Sequence, residues 1–151
     1  MAEIPYAPER IRVLPSWLLG RAAARGHRLV GEALGREGMR MMHHAVLATV
    51  AELGPVSQAD LGRVLRVDPK DMVAIIAELH RDGLVRRTPD PADRRKNAVS
   101  LTGAGTERLR RTARLGDEAN DRLTAALTAD ERAQLVDLLT RIITPPDGGG
   151  D

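Results

Sequence analysis

A chain with one Trp, one Tyr and no Phe has to close its core without large flat side chains. Trp17 and Tyr6 are the only aromatic residues among 151. The core must come from Leu, Val, Ile, Met and Ala, which interlock between helices more readily than they fill a wide sandwich. Hydrophobic residues make up 42% of the chain, enough for such a core. At this length one domain, or one domain with helices attached, is the expected scale.

The helical periodicity agrees. Pro15 and Ser16 open a pattern reaching about Arg36, with one stripe through Leu18, Ala22, Leu29 and Ala33 and a second through Leu19, Ala23, Val30 and Leu34. A helix so broadly apolar is expected to touch both its own domain and a partner. Gly35 and Gly38 break it. A second helix fits Met39 to Leu53 and stops at Gly54-Pro55. Ser57 is placed to cap a short helix from Gln58 to Leu65, and Asp68-Pro69-Lys70-Asp71 opens another that Gly83 ends.

The period then changes. Leu84 to Thr88 and Asn97 to Leu101 read as short strands joined by a polar tip, a hairpin. Thr102 caps a long helix to about Ala126, with an expected seam at Leu109, Ala113, Gly116, Asn120, Leu123 and Leu127. Thr128 restarts a last helix, ended by Pro145-Pro146, and residues 145–151 read as a disordered Gly-rich tail. The fold class is mainly α with a small β wing.

Charge is unevenly spread. Arg81 to Lys96 holds six basic residues against three acidic, and Arg10 to Arg36 holds six Arg against Glu32. From Gly105 to Thr144 the signs cancel at seven each. One basic face beside a neutral helical end suits a polyanion partner. Two short helices joined tightly, the second well capped, are the parts of a helix-turn-helix, and a basic hairpin beyond them reads as a wing that could reach phosphates or a narrow minor groove.

These residues resemble the MarR-type winged-helix regulators. The likeness lies in Gly54-Pro55-Val56-Ser57-Gln58-Ala59-Asp60-Leu61-Gly62, in Leu79 to Leu84, and above all in Asp90-Pro91-Ala92-Asp93-Arg94-Arg95 followed by Val99-Ser100-Leu101-Thr102 and Gly105. It covers about residues 12 to 143. The resemblance implies a winged helix-turn-helix with N- and C-terminal dimerisation helices: residues 10–36 and 103–144 for dimerisation, and 39–102 as the DNA-binding lobe. It also implies a transcription regulator, by default a repressor, that binds a near-palindromic operator in double-stranded DNA as a homodimer. A small apolar or aromatic effector would release it.

On that resemblance Arg94 and Arg95 are the foremost DNA contacts, and Asp93 supports the wing through an ion pair. Arg86, Lys96, Ser57, Gln58, Arg63 and Arg66 join them as phosphate or groove-flanking candidates. The family's exposed Thr and Arg on the recognition helix are matched here by Val73 and Ala74, neither of which can donate a side-chain hydrogen bond. Base reading is left to Lys70, to Val73 and Ala74 against thymine methyls, and to Asp71 on a cytosine amine. Asp71 serves its own helix end on the alternative reading.

Trp17, Met42, His43 and His44 are candidate lining for an effector pocket, with core or dimer packing as the competing role. His43 and His44 point about 100° apart on a helix, which argues against one shared metal ion. No metal or cofactor is expected. Without cysteine, disulfides and thiolate chemistry are excluded. No phosphate loop follows a strand and no acid or base sits identifiably beside a nucleophile, so no enzyme is expected. No secretory signal or apolar run long enough to span a membrane is visible, and a cytoplasmic site without membrane contact is the default. The second functional reading, prompted by Val73 and Ala74, is a winged-helix dimerisation or protein-interaction module with weak or nonspecific DNA binding.

Overall fold

The computed structural model describes residues 7–144; the expected tail lies outside the described residues. The elements are α1 (Glu9–Arg12), α2 (Pro15–Gly35), α3 (Met41–Leu53), β1 (Val56–Ser57), α4 (Gln58–Leu65), α5 (Pro69–Arg81), β2 (Val85–Pro89), β3 (Asn97–Leu101), α6 (Gly103–Leu123) and α7 (Ala129–Ile143). The winged helix-turn-helix is present as expected. Two elements go beyond the sequence reading. α1 is a single turn, and β1 is a two-residue strand, so both are too short to carry a period.

β1 makes the hairpin a three-stranded antiparallel sheet in the order β1-β3-β2. Val56 pairs with Val99 and Ser57 with Ala98, while β2 and β3 run in register from Val85 opposite Leu101 to Pro89 opposite Asn97. β2 begins one residue later than expected because Leu84 gives only its carbonyl to the ladder. Its N–H closes the end of α5 on Leu79 O at 3.0 Å, and its carbonyl accepts from Thr102 N at 3.1 Å. Gly83, at φ +74°, supplies the left-handed residue that this helix end requires.

The main core lies under α4 and α5, where Leu47, Leu61, Met72, Ile76, Leu79 and Val99 are almost wholly buried with Leu34 and Val46. It contains no aromatic side chain. A smaller cluster joins α2 to α6 through Leu29, Ala33 and Ala119, flanked by Leu115 and Leu123. This corrects the expected seam of α6. Thr112 is fully buried, whereas Asn120 is exposed and bonds back to Gly116 O, and Leu127 lies beyond the helix. A buried threonine disguised the true stripe. α6 also stops at Leu123 rather than Ala126, where Arg25 of α2 donates to the Leu123 carbonyl at 3.0 Å.

α7 is the outlier. Thr128 and Glu131 form a reciprocal capping box at its start, yet the helix buries none of its residues. Val136, Leu138, Ile142 and Ile143 are more than half exposed, and so is Val13 beside Ile11, Leu14 and Leu18 at the other end of the chain. No helix among the described residues is long and apolar enough to cross a membrane.

Candidate DNA-binding interface

The helix-turn-helix is built by caps. Ser57 Oγ accepts from Asp60 N at 3.1 Å and donates to Asp60 Oδ2 at 2.9 Å. Ser57 is 7% exposed, so its hydroxyl is committed to starting α4. The polar groups left open at this point are half-buried Gln58 and the free N–H groups of the first turn. Arg63 pairs with Asp60 on the surface. α4 ends on Arg66 in the left-handed region, at φ 52° and ψ 49°, and Val67 N returns to Gly62 O at 2.9 Å. Two residues later Asp68 caps α5 by accepting from Lys70 N at 2.8 Å, with Pro69 in the first helical position. The chain thus turns between the two helices on local hydrogen bonds, with Leu65 and Val67 packed against the core.

Met72, Ile75, Ile76 and Leu79 seat α5 on the core. The opposite face carries Lys70, Ala74, Ala77 and Arg81, with Val73, 55% exposed, and His80 along one flank. Asp71 and Glu78 form the other flank, facing a cleft of about 480 Å³ whose far wall is Arg40, Met42 and His43. Asp71 and Val73 therefore flank the outward face on opposite sides, whereas Lys70, Ala74 and Ala77 stand at its centre.

The wing tip is ordered by its own aspartates. Asp90 Oδ1 accepts from Ala92 N at 2.8 Å, and Asp93 Oδ1 accepts from Arg95 N at 3.1 Å. Backbone bonds from Asp90 N to Lys96 O and from Lys96 N to Asp93 O close the loop. Asp93 also holds Arg95 Nε at 3.3 Å, although the Arg95 side chain is 91% exposed. That ion pair fixes the guanidinium by one nitrogen and leaves its two terminal nitrogens without a protein partner among the described residues. Arg86, Arg87, Arg94 and Lys96 are exposed and make no ion pair among the described residues. Successive β2 side chains point to opposite faces, so Arg86 and Arg87 diverge.

The four residues expected around an effector are divided by the structure. His43 Nε2 lies 2.7 Å from Glu78 Oε2, which also accepts from Arg40 Nη2 at 2.6 Å. The hydrogen bond with His43 and the nearby Arg40 hold the Glu78 carboxyl below the usual range, against a smaller opposing effect of burial. This junction clasps α3 to the recognition helix. Neither Arg40 nor Glu78 was visible as a functional residue in the sequence, because the partners lie 38 and 35 positions apart. Met42 lines the same cleft.

His44 turns the other way, towards α6. Its Nδ1 is 2.9 Å from Thr112 Oγ1, whose own proton is directed to the Arg108 or Leu109 carbonyl. Burial pushes the His44 imidazole below its ordinary value, with Asp117 opposing weakly. Trp17 stands apart on α2, half-buried, with the Arg21 guanidinium 5.5 Å from its ring centre. Among the described residues no group of three or more His, Asp or Glu could hold a metal ion.

A model of the MarR family matches residues 37–96, the span from the turn before α3 to the wing tip. The multiple antibiotic resistance protein MarR of Escherichia coli is 31% identical over 117 residues, covering 77% of this chain and 81% of that protein. The chain belongs to the MarR family. A MarR variant from Escherichia coli, solved with operator DNA, superposes with a TM-score of 0.79 at 27% identity, covering 91% of this chain and 100% of that one. CouR from Rhodococcus jostii, solved bound to p-coumaroyl-CoA, gives 0.81 at 26% identity, covering 94% and 100%. The transcriptional repressor NicR of Pseudomonas putida is 32% identical over 104 residues, 69% of this chain. The match spans 66% of NicR and 64% of two further curated relatives, just under two thirds of their lengths. NicR is named as a transcriptional repressor, and the two further relatives as regulators of transcription.

Proposed function

We propose that this MarR-family chain is a homodimeric transcription regulator that binds a near-palindromic operator, and that its regular action is repression. One observation carries the reading: a well-capped α5 with an outward face clear of the core stands beside a basic wing whose exposed Arg95 is held in place by Asp93. A helix of this kind fits the major groove, and a basic hairpin beyond it reaches phosphates or the minor groove. The solved complex of a MarR variant with operator DNA supports it, and the name of NicR supports repression. The apolar surface of α7, α1 and the start of α2 supports a second copy as the partner, with 10–36 and 103–144 as the dimerisation region and 39–102 as the DNA-binding lobe. A cytoplasmic site follows from this role.

Release by a small apolar or aromatic effector is part of the proposal. Its support is the CouR complex with p-coumaroyl-CoA, together with the half-buried histidines at the roots of α3.

The wing tests the reading most simply. Arg95→Ala removes an exposed cation whose only side-chain partner among the described residues is Asp93, so the fold is expected to persist. Affinity for operator DNA is expected to fall about tenfold at fixed salt, and the salt dependence to lose roughly one unit of slope. Gel-shift titration of a folded variant with unchanged affinity and slope would count against the wing as a DNA contact.

A further inference from the structure

The outward face of α5 is unusual for a surface that reads bases. Proceeding from Lys70 towards the helix end, the outward residues are Ala74 and Ala77 with exposed Val73 on their flank, and polar side chains return only at His80 and Arg81. Glu78 is turned aside, held by Arg40 and His43, and Asp71 lines the cleft on the same flank, with Ala74 at the cleft's outer edge. The middle of this helix therefore presents methyl groups, with Lys70 as the hydrogen-bond donor at its N-terminal end.

Only one of the four bases offers an apolar group in the major groove: thymine, through its C5-methyl. The polar edges of guanine, adenine and cytosine would lose water against Val73 and Ala74 and gain no partner. From this geometry we infer that the protein selects operators with thymines at the base steps opposite Val73 and Ala74, read through their methyl groups. Lys70 then sets the register from a neighbouring guanine or thymine oxygen or from phosphate. Selectivity arises as much from rejecting bases that leave polar edges unpaired as from attraction to the methyl. The inference rests on the DNA-binding reading and names what that site reads.

The test uses the full chain and a duplex recovered by selection from random DNA. Replacing thymines with deoxyuridine, one position at a time, removes the C5-methyl and leaves every hydrogen-bonding edge unchanged. Affinity is expected to drop about three- to fourfold at each contacted thymine, the scale of one buried methyl. Val73→Ala, an exposed change that leaves the core untouched, should weaken binding to the thymine duplex and reduce the uracil penalty at the step Val73 covers. That coupling separates direct contact from an effect of the methyl on DNA shape. Equal affinity for thymine and uracil duplexes at every position would overturn the inference while leaving DNA binding intact. Failure to bind any selected duplex would overturn the DNA-binding reading, and this one with it.

Discussion

Gly105→Ala is expected to destabilise the fold by about 3 kcal/mol, a large part of what holds a domain of this size together. Gly105 is buried in the first turn of α6, and a Cβ there would stand 2.0 Å from the carbonyl oxygen of Leu84. The obstacle is backbone, not the flexible end of a side chain. That carbonyl already accepts from Thr102 N, while Thr102 Oγ1 donates to Gly83 O at 2.6 Å and accepts from Gly105 N at 3.0 Å. The start of α6 is thus locked onto the junction of α5 and β2, and no small shift admits a methyl. Gly103→Ala, two residues earlier with nothing within 4 Å of its Cβ, is the control and should change stability by less than ~0.5 kcal/mol. Thermal unfolding should separate the two by roughly 6–12 °C. Equal midpoints would contradict the close approach.

The largest effect is expected at α7. Leu138 and Ile142 are one helical turn apart on the same face, 52% and 63% exposed in a single chain. A capped helix that leaves such residues in water is incomplete by itself. In a two-fold dimer each substitution counts twice. Changing both residues to Asp removes four apolar side chains from the interface, each worth about 1.5 kcal/mol on burial, so dimerisation should weaken by about 6 kcal/mol, more than ten-thousandfold. Operator binding should fail with it, since the half-sites are joined only through the dimer. Sedimentation of the double variant as an unchanged dimer would show that the interface lies elsewhere.

How far the sequence revealed this molecule depends on the range of the interaction. Local chemistry was legible: Ser57, Asp68, Thr102 and Thr128 start helices where their side chains can accept a following N–H, and Asp93 orders the wing beside Arg95. The all-aliphatic main core followed from the missing aromatics. The misses are contacts between distant segments. β1 exists only because Val56 and Ser57 meet β3 some forty residues on. The buried stripe of α6 contains a threonine that is acceptable there because His44 and two carbonyls satisfy it. At the candidate interface, Val73 and Ala74 were legible as a departure from the family. Their standing in the middle of a methyl face was not, because it depends on Arg40 and His43 drawing Glu78 aside. His43 and His44, adjacent in sequence, serve opposite neighbours for the same reason.

The central claim is sequence-specific binding of double-stranded DNA. The most direct measurement is a titration of the wild-type protein against a duplex selected from a random pool and against the same bases scrambled, at several salt concentrations. The account predicts a two-fold symmetric selected site, bound at least about a thousandfold more tightly than the scrambled duplex, with affinity falling steeply as salt rises. Equal, weak affinity for both duplexes, or none at low salt, would contradict it and leave a winged-helix dimer whose partner is another protein.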